Sequence, residues 1–186
     1  MCKVIGTDTY AVPGEHRMSQ STTDPLDTFT TQIESYGVNL LRVSSSDVES
    51  TIKECLEPPA VGVPLPWDDI SLPEAVQTDA TVADLRSAVT GVSPASFAIA
   101  EYGSLYLQAN DDGSEPVSLF NDLHVAVLRE EDILTDMEDA FERLGDELRE
   151  TRGSGIIATG PSATADMGAL VQGAHGPKEV TVVVVS

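Results

Sequence analysis

The amino-acid sequence has few cysteines, no long hydrophobic segment and no dinucleotide-binding fingerprint. Its two cysteines, Cys2 and Cys55, are too few for a disulfide framework or for a metal cluster held by this chain alone. No apolar run approaches the roughly 18 residues of a membrane span, since the stretch at 180–185 is six residues long. The N-terminus lacks the basic and apolar regions of a secretory signal, and no Gly-x-Gly-x-x-Gly follows the first predicted strand. We therefore expect a cytoplasmic protein without a membrane span or a nicotinamide site.

Positive charge is scarce as well. Three lysines and seven arginines stand against 31 aspartates and glutamates, which gives a formal net charge of -21. A surface this acidic repels phosphate backbones and anionic lipids, so nucleic acids and membranes are not expected as partners. Because 41% of the residues are hydrophobic, the acid is added to a foldable sequence, and disorder is not expected.

The combination of few lysines and many carboxylates is typical of proteins from salt-in halophiles. Hydrated carboxylates keep such surfaces soluble, and a screening length of about 3 Å at 1 M salt suppresses their mutual repulsion. We therefore interpret the chain as a halophile-type acidic protein. An acidic protein from an organism of ordinary salinity is the alternative.

The negative charge is concentrated in the middle of the chain. Residues 101–155 include 15 acidic and four basic residues, whereas residues 156–186 include two acidic residues and one basic residue. Buried strands and ligand-facing loops tolerate few carboxylates. We therefore expect residues 156–186 to form core and site.

No function is expected from the first 22 residues. Residues 1–17 carry no net charge, and Met18 begins a stretch that resembles a typical protein start. We predict that residues 1–22 are a leader, or that the true start is Met18. Residues 23–186 are then long enough to bury the core of one domain.

Capping residues and apolar spacing predict two helices in the first third of that domain. The first begins at Asp24 and Pro25, where an N-cap precedes a proline, and it ends at Gly37. The second begins at a capping box formed by Ser46 and Glu49. Each helix presents an apolar stripe, so each is expected to cover a core.

Later patterns predict further helices and several strands. A third helix is capped by Thr81 and closed by Gly91, and a long amphipathic helix begins at Ile133. A hairpin turn is predicted at 110–113. Strands are predicted at 38–43, 60–65, 98–100, 104–108, 124–128, 155–159 and 180–185. Strands that alternate with helices indicate an α/β fold, and the valine-rich last strand should be buried on both faces of a parallel sheet.

Three turn-forming stretches at predicted strand ends are candidate ligand sites, because open α/β sheets bind ligands at strand ends. In residues 98–104, Glu101 is a lone acid in a neutral run. Residues 159–166 leave a strand with hydroxyl groups and an open backbone suited to an anion. Residues 173–177 contain His175. The three histidines and two cysteines have no ligand spacing, so no metal site is predicted.

Taken in order, these stretches resemble a known family. The matching motifs are Gly91-Val-Ser, Ala98-Ile-Ala-Glu-Tyr-Gly-Ser, the strand that begins at His124, Thr159-Gly-Pro-Ser-Ala-Thr-Ala-Asp and Gly173-Ala-His-Gly-Pro. They resemble the motifs of the LutC/YkgG-type LUD-domain family of lactate utilization proteins. The resemblance implies one Rossmann-like, three-layer α/β domain over residues 23–186, similar to the NagB, ribose-phosphate isomerase and CoA-transferase superfamily.

The resemblance also implies a role and partners. The expected role is accessory, beside iron-sulfur subunits that oxidise L-lactate to pyruvate, with the clusters held by the partners and no cofactor bound by this chain alone. The expected ligand is a small organic acid or its thioester. The alternative is a free-standing enzyme of the CoA-transferase or sugar-phosphate isomerase type that uses Glu101.

Nine residues follow as site candidates. Glu101 precedes Gly103 much as the attacking glutamate of related CoA-transferases precedes a glycine, so it is a candidate nucleophile or general base. His175 is a candidate to polarise a carbonyl or to abstract a proton. The candidate ligand-binding residues are Gly103, Gly160, Pro161, Ser162, Thr164, Asp166 and Gly176. The alternatives are a buried acid that fixes its turn, a loop histidine bonded to backbone, and a helix cap formed by the hydroxyls with Asp166. His124 is assigned a structural role.

Overall fold

The computed structural model describes residues 24–109, 113–151, 153–164 and 171–186. The helices are α1 (Pro25–Ser35), α2 (Val48–Cys55), α3 (Val82–Ser87), α4 (Ser114–Phe120) and α5 (Met137–Thr151), with 3-10 helices at Ser45–Asp47 and Glu130–Asp132. The strands are β1 (Asn39–Val43), β2 (Ala60–Gly62), β3 (Val76–Gln77), β4 (Thr90–Pro94), β5 (Phe97–Ile99), β6 (Ser104–Ala109), β7 (Leu123–Arg129), β8 (Ile133–Leu134), β9 (Ser154–Thr159), β10 (Ala163–Thr164), β11 (Val171–Gln172) and β12 (Glu179–Val185).

A six-stranded parallel sheet in the order β1-β12-β7-β4-β2-β3 forms the centre of the fold. Strand β12 lies between β1 and β7, and its Val182 pairs with Leu40 on one side and Ala126 on the other. All its side chains from Val180 to Val185 are buried. A strand covered on both faces has no polar alternation, which explains the run of valines. The predicted central position of this strand is confirmed.

One face of the central sheet is covered by α2. Val48 and Ile52 of this helix are fully buried and share a core with Val183 and Val185 of β12. The two helix residues are four positions apart, so they lie on one stripe of the helix surface. The predicted second helix therefore packs as its sequence pattern indicates.

The opposite face is covered by α1 and by a second, four-stranded sheet in the order β8-β5-β6-β9. Phe29 and Ile33 of α1 share a core with Leu105 and Leu107 of β6 and with the Val182 side of β12. The predicted α/β class, with a mostly parallel sheet covered on both faces, is confirmed. The two sheets face each other, and the space between them becomes important for the site.

Helix α5 covers the outer face of the second sheet. Its Ala140 and Leu144 pack with Phe97 and Tyr106, whose rings stack at a centroid distance of 4.7 Å. Successive residues of β5 and β6 therefore contribute alternately to the core shared with the central sheet and to the core under α5.

Two of the predicted helix starts are confirmed in atomic detail. The Oδ1 atom of Asp24 accepts a hydrogen bond from the backbone N–H of Leu26 at 3.0 Å. At the start of α3, Thr81 and Asp84 form a reciprocal capping box, with Asp84 Oδ2 accepting from the Thr81 N–H at 2.9 Å. Local capping signals are reliable at these positions because they involve only neighbouring residues.

Two other predictions about helix ends are wrong. Ser46 and Glu49 form no capping box, because Ser46 lies inside a 3-10 helix and α2 begins at Val48 without a side-chain cap. Gly91 does not close α3, which ends at Ser87. Instead, Gly91 lies inside β4, where its missing side chain lets helix α4 pack closely.

Two predictions about strand pairing and helix length are also wrong. The hairpin turn predicted at 110–113 is wrong, because Gly113 leads into helix α4 and not into a strand that pairs with β6. Strand β6 pairs with β5 and β9 instead. Residues 110–112 lie outside the described part of the chain. Ile133 and Leu134 form β8, which pairs with β5, so the long helix begins at Met137. Both errors arise because pairing with a distant strand is not encoded in a local hydrophobic period.

Gly91→Ala should destabilise the fold strongly. A Cβ atom at this position would meet the carbonyl oxygen of Val117 and lie 2.5 Å from Nδ2 of the buried Asn121, so α4 must move away from β4. We expect a loss of about 3 kcal/mol in the free energy of unfolding, measured by denaturant unfolding. The control is Gly145→Ala in α5, where the nearest atom lies at 3.8 Å. This change should stabilise by about 0.5–1 kcal/mol; equal effects of the two variants would contradict the packing described.

Candidate functional site

A cavity of about 340 Å³ lies between the two sheets, at the amino ends of the central strands. Its wall includes Val38 before β1, Val180 at the start of β12 and His124 at the start of β7. Leu105 and Leu107 of β6 form the facing wall. We call this space the amino-end cavity. Its size is within the range of about 300–1,000 Å³ that is usual for small-molecule sites.

Two loops at the mouth of the cavity are hydrogen-bonded to each other through Ser162. The Ser162 N–H donates to the carbonyl oxygen of Pro177 at 2.8 Å, and the Gly173 N–H donates to the Ser162 carbonyl oxygen at 2.9 Å. The His175 N–H donates to Ser162 Oγ at 3.3 Å. The predicted stretches 159–166 and 173–177 therefore meet, and Ser162 is the residue that joins them.

Gly160 adopts a backbone conformation that suits glycine at the start of the first of these loops. Its φ is +63°, and a Cβ atom at this position would lie 3.0 Å from the Cβ of Tyr36. Both the left-handed conformation and the close approach of α1's end favour a residue without a side chain. This glycine allows β9 to turn directly into the cavity mouth.

The turn between β5 and β6 reaches the cavity through Gly103. This residue lines the cavity, has a φ of +62° and would clash with Gln32 if it carried a Cβ atom. Glu101 precedes it in the same turn but is exposed and is not part of the lining. Its backbone N–H donates to the carbonyl oxygen of Thr135 at 3.1 Å.

The structure brings most of the predicted site residues to one place. Six of the nine candidates line the amino-end cavity, namely Gly103, Gly160, Pro161, Ser162, His175 and Gly176. Thr164 lies in β10, where it pairs with Val171, and is not part of the lining. Asp166 lies outside the described residues. The roles assigned to these residues remain predictions, but most of their positions converge.

His124, to which the sequence interpretation assigned a structural role, is also part of the cavity lining. It lines the inner wall of the cavity with 3% of its surface exposed, and its Nε2 lies 2.9 Å from Ser93 Oγ. Burial lowers the pKa of its imidazole from 6.5 to about 4, because the charged form would lose its hydration. The ring is therefore neutral near pH 7. Its only sequence signal was a polar residue at the start of an otherwise apolar strand.

The lining of the amino-end cavity is electrically neutral. None of the described residues that form it is a lysine, arginine, aspartate or glutamate. Its interior is mostly aliphatic, with contributions from both sheets and from Ile33 of α1. The polar groups of the mouth and the inner wall are therefore hydroxyls, imidazoles and backbone.

A second space of about 420 Å³ lies at the opposite end of the sheet, and we call it the carboxyl-end crevice. It follows β2 and β4 and is lined by Trp67, Gln108 and Arg143, among others. Open α/β sheets often bind ligands at this end. Here, however, Arg143 already donates to Asp132 Oδ1 at 2.7 Å and to the Ser96 carbonyl oxygen at 2.9 Å. The guanidinium charge is matched within the protein, and none of the nine candidate residues reaches this crevice.

The described residues contain no cluster of three or more histidine, cysteine or acidic side chains that could hold a metal ion. Within the same residues, no helix is both long enough and apolar enough to cross a membrane. The one described cysteine, Cys55, is partly buried at the end of α2, and burial together with Glu54 raises the pKa of its thiol.

A parallel sheet covered on both faces, with a cavity formed by strand-end loops, defines an α/β domain with one candidate ligand site between its sheets. The model of the LUD domain matches residues 65–185, which is more than half of the chain. The chain therefore belongs to the LUD-domain family. The resemblance that the motifs indicated is confirmed.

Individual relatives agree with this assignment. The chain is 29% identical over 167 residues to lactate utilization protein C of Deinococcus radiodurans, covering 84% of this chain and 77% of that protein. It is 31% identical over 123 residues to lactate utilization protein C of Oceanobacillus iheyensis, covering 64% of this chain and half of that protein. The crystal structure of a DUF162 family protein from D. radiodurans superimposes with a TM-score of 0.70 at 25% identity, covering 90% of this chain and all of that one.

The buried His124 should make the stability of the fold depend on pH between about 6.5 and 4. In this window the unfolded chain binds a proton on this ring and the folded chain does not, so the free energy of unfolding falls as the pH falls. At pH 4 the loss should be about 3 kcal/mol relative to pH 7. Denaturant unfolding of wild type and His124→Gln over this range isolates the contribution.

The difference between the two proteins is the informative quantity, since the carboxylates titrate in both. Ser118→Ala, which changes another buried polar residue of the cavity lining but no titratable group, is the matched control and should keep the pH dependence of wild type. Parallel curves for wild type and His124→Gln would show that the imidazole is not held neutral.

Proposed function

We propose that the protein works in the cytoplasm as a component of a system that oxidises L-lactate to pyruvate, beside iron-sulfur partner proteins. We further propose that its amino-end cavity binds a small organic acid or the acyl part of its thioester. Membership of the LUD-domain family and the two relatives named lactate utilization protein C support the role in lactate utilization.

One observation carries the assignment of the site. Residues that are up to 73 positions apart in the chain, from Gly103 to Gly176, line one cavity. These residues belong to the motifs on which the family resemblance depends. A fold needs no such convergence for stability alone, and left-handed glycines such as Gly103 and Gly160 are favoured where the backbone must approach another group closely.

The chain's own residues do not fit an iron-sulfur cluster. Such clusters are held by about four ligands, mainly cysteine thiolates, and the whole sequence contains two cysteines. Cys55 is partly buried near the end of α2 and is not part of the cavity lining. A cluster that takes up the electrons released when a 2-hydroxy acid becomes a 2-keto acid would therefore belong to another chain. Iron-sulfur partners are proposed because the resemblance to the LutC/YkgG-type proteins implies them, and the cysteine count agrees with that arrangement.

A free-standing enzyme that uses Glu101 is a second candidate function, favoured by one observation. Glu101 is exposed in the turn whose Gly103 reaches the cavity. The carboxylate is therefore not the buried acid that would merely fix the turn. An exposed carboxylate beside a ligand cavity is accessible to a thioester carbonyl as a nucleophile.

Deletion of the gene in its source organism should abolish growth on L-lactate while growth on pyruvate stays normal. Wild-type protein should restore growth, whereas Ala158→Leu should not, because Ala158 lines the cavity and a larger side chain fills it. Ile157→Leu is the matched control, since Ile157 is the adjacent residue on β9 and is not part of the lining. Normal growth of the deletion strain on L-lactate would contradict the proposed role.

Glu101→Gln separates the two candidate functions. If the isolated chain is an enzyme of the CoA-transferase type, turnover of an acyl thioester should fall by at least about 1,000-fold in this variant, with an unchanged melting temperature. Glu131→Gln, another exposed carboxylate, is the control and should keep full turnover. An isolated chain without turnover, which co-purifies with iron-sulfur subunits, supports the accessory role instead.

A further inference from the structure

The inner wall of the amino-end cavity contains one side-chain nitrogen that none of the described residues engages. Two polar side chains contribute to this wall, Ser118 and His124. The hydroxyl of Ser118 donates to the carbonyl oxygen of Glu115 at 2.8 Å, so its proton is already used. His124 bonds to Ser93 through Nε2, and none of the residues that the structure describes forms a hydrogen bond to its Nδ1.

The position of this nitrogen is fixed by the sheet. His124 and Ser93 lie on the adjacent parallel strands β7 and β4, and both are buried, with 3% and 0% of their surfaces exposed. The ring lines the cavity and is anchored at its other nitrogen. A neutral imidazole has one donor and one acceptor nitrogen, so the partner of Nε2 determines what Nδ1 presents to a ligand.

The neutrality of the cavity limits which ligands can reach this nitrogen. A free carboxylate at the inner wall would lose its hydration, and the described lining contains no lysine or arginine to compensate. An uncharged carbonyl group loses far less on transfer into aliphatic surroundings. It requires one hydrogen-bond donor, which a single N–H supplies.

We propose that the inner wall of the amino-end cavity recognises an uncharged carbonyl group, such as that of a thioester, amide or ester, through the Nδ1–H of His124. Ser93 is a positioning residue in this arrangement. We assign the donor role in the Ser93–His124 hydrogen bond to the Ser93 hydroxyl, so that Nε2 accepts and the proton stays on Nδ1, directed into the cavity. A ligand that carries both a carbonyl and a carboxylate places the carbonyl inward and the carboxylate at the mouth.

This inference rests on the part of the proposed function that assigns ligand binding to the amino-end cavity. It is independent of lactate oxidation and of iron-sulfur partners. The inference deepens the assignment by naming the ligand class. Two ligand types were proposed above, and the inner wall selects the neutral acyl group over the free acid.

The test compares neutral and anionic probes of the same size. Dissociation constants of L-lactamide and L-lactate are measured by NMR titration of the full chain; the carbonyl of the first is an uncharged amide, and that of the second is part of a carboxylate. L-Lactamide should bind at least about tenfold more tightly than L-lactate, because only lactate carries an unpaired charge into the cavity with its carbonyl group. L-Lactate that binds as tightly as L-lactamide would overturn the inference.

Variants test the role of the imidazole directly. His124→Leu removes the donor at similar volume, and it should weaken amide binding about three- to tenfold, as loss of one neutral hydrogen bond does. Ser118→Ala is the matched control, since it changes another buried residue of the same wall whose hydroxyl is already engaged. Equal weakening in both variants, or none in His124→Leu, would contradict the assignment.

The tautomer of the wild-type ring gives a readout that does not depend on the folding of any variant. Long-range ¹H–¹⁵N spectra should show His124 protonated at Nδ1 with Nε2 as an acceptor, and protonation at Nε2 would overturn the inference. If no probe perturbs residues of the amino-end cavity, the proposed binding site itself fails. If acids and amides bind there equally and His124→Leu has no effect, the site stands and only the role of His124 falls.

Discussion

The fold depends on the burial of β12 on both faces. This C-terminal strand pairs with β1 and β7 along its length, and its side chains from Val180 to Val185 are shielded from water. A strand in this position requires cover above and below, because each exposed valine would forfeit about 1.5–3 kcal/mol of hydrophobic stabilisation. Helix α2 supplies the cover on one face, and α1 with the second sheet supplies it on the other.

The cavity lies under the same cover, at one end of the central sheet. The second sheet packs against β12 and β7 at Val184 and Leu128, whereas at the amino ends the two sheets and their loops enclose an open space. Because the surrounding walls are aliphatic, a polar side chain there loses its hydration. That environment holds His124 neutral, with a pKa of about 4, and gives its hydrogen bonds more weight than they would have in water.

The features of the fold that depend on neighbouring residues could be predicted from the sequence, whereas those that depend on distant residues could not. The cap at Asp24 and the capping signal at Thr81 involve residues a few positions apart, and the burial of β12 is evident from its valines alone. The interior position of Gly91 in β4 and the pairing of Ile133 with Ala98 depend on partners far along the chain. A single sequence gives no signal for such partners, so these elements were assigned incorrectly.

The residues of the candidate site likewise fall into those that local sequence could predict and those that it could not. Gly160, Ser162 and His175 were predictable because turn-forming, uncharged loops are recognisable locally and matched a family pattern. The position of His124 in the cavity lining was not predictable from the sequence. Its burial and its hydrogen bond to Ser93, 31 positions away, arise only when β7 and β4 pair. The uneven charge was a useful guide, since the sparsely charged stretch 156–186 contributes β12 and much of the cavity mouth.

The most direct test of this account is the location of the bound ligand, measured from methyl chemical shifts of valine- and leucine-labelled protein titrated with L-lactamide. The account predicts shifts at Leu105, Leu107, Val180 and Val182, which line the amino-end cavity, and none at Leu65 in the carboxyl-end crevice. Shifts confined to Leu65, with the methyl groups of the amino-end cavity unchanged, would contradict it.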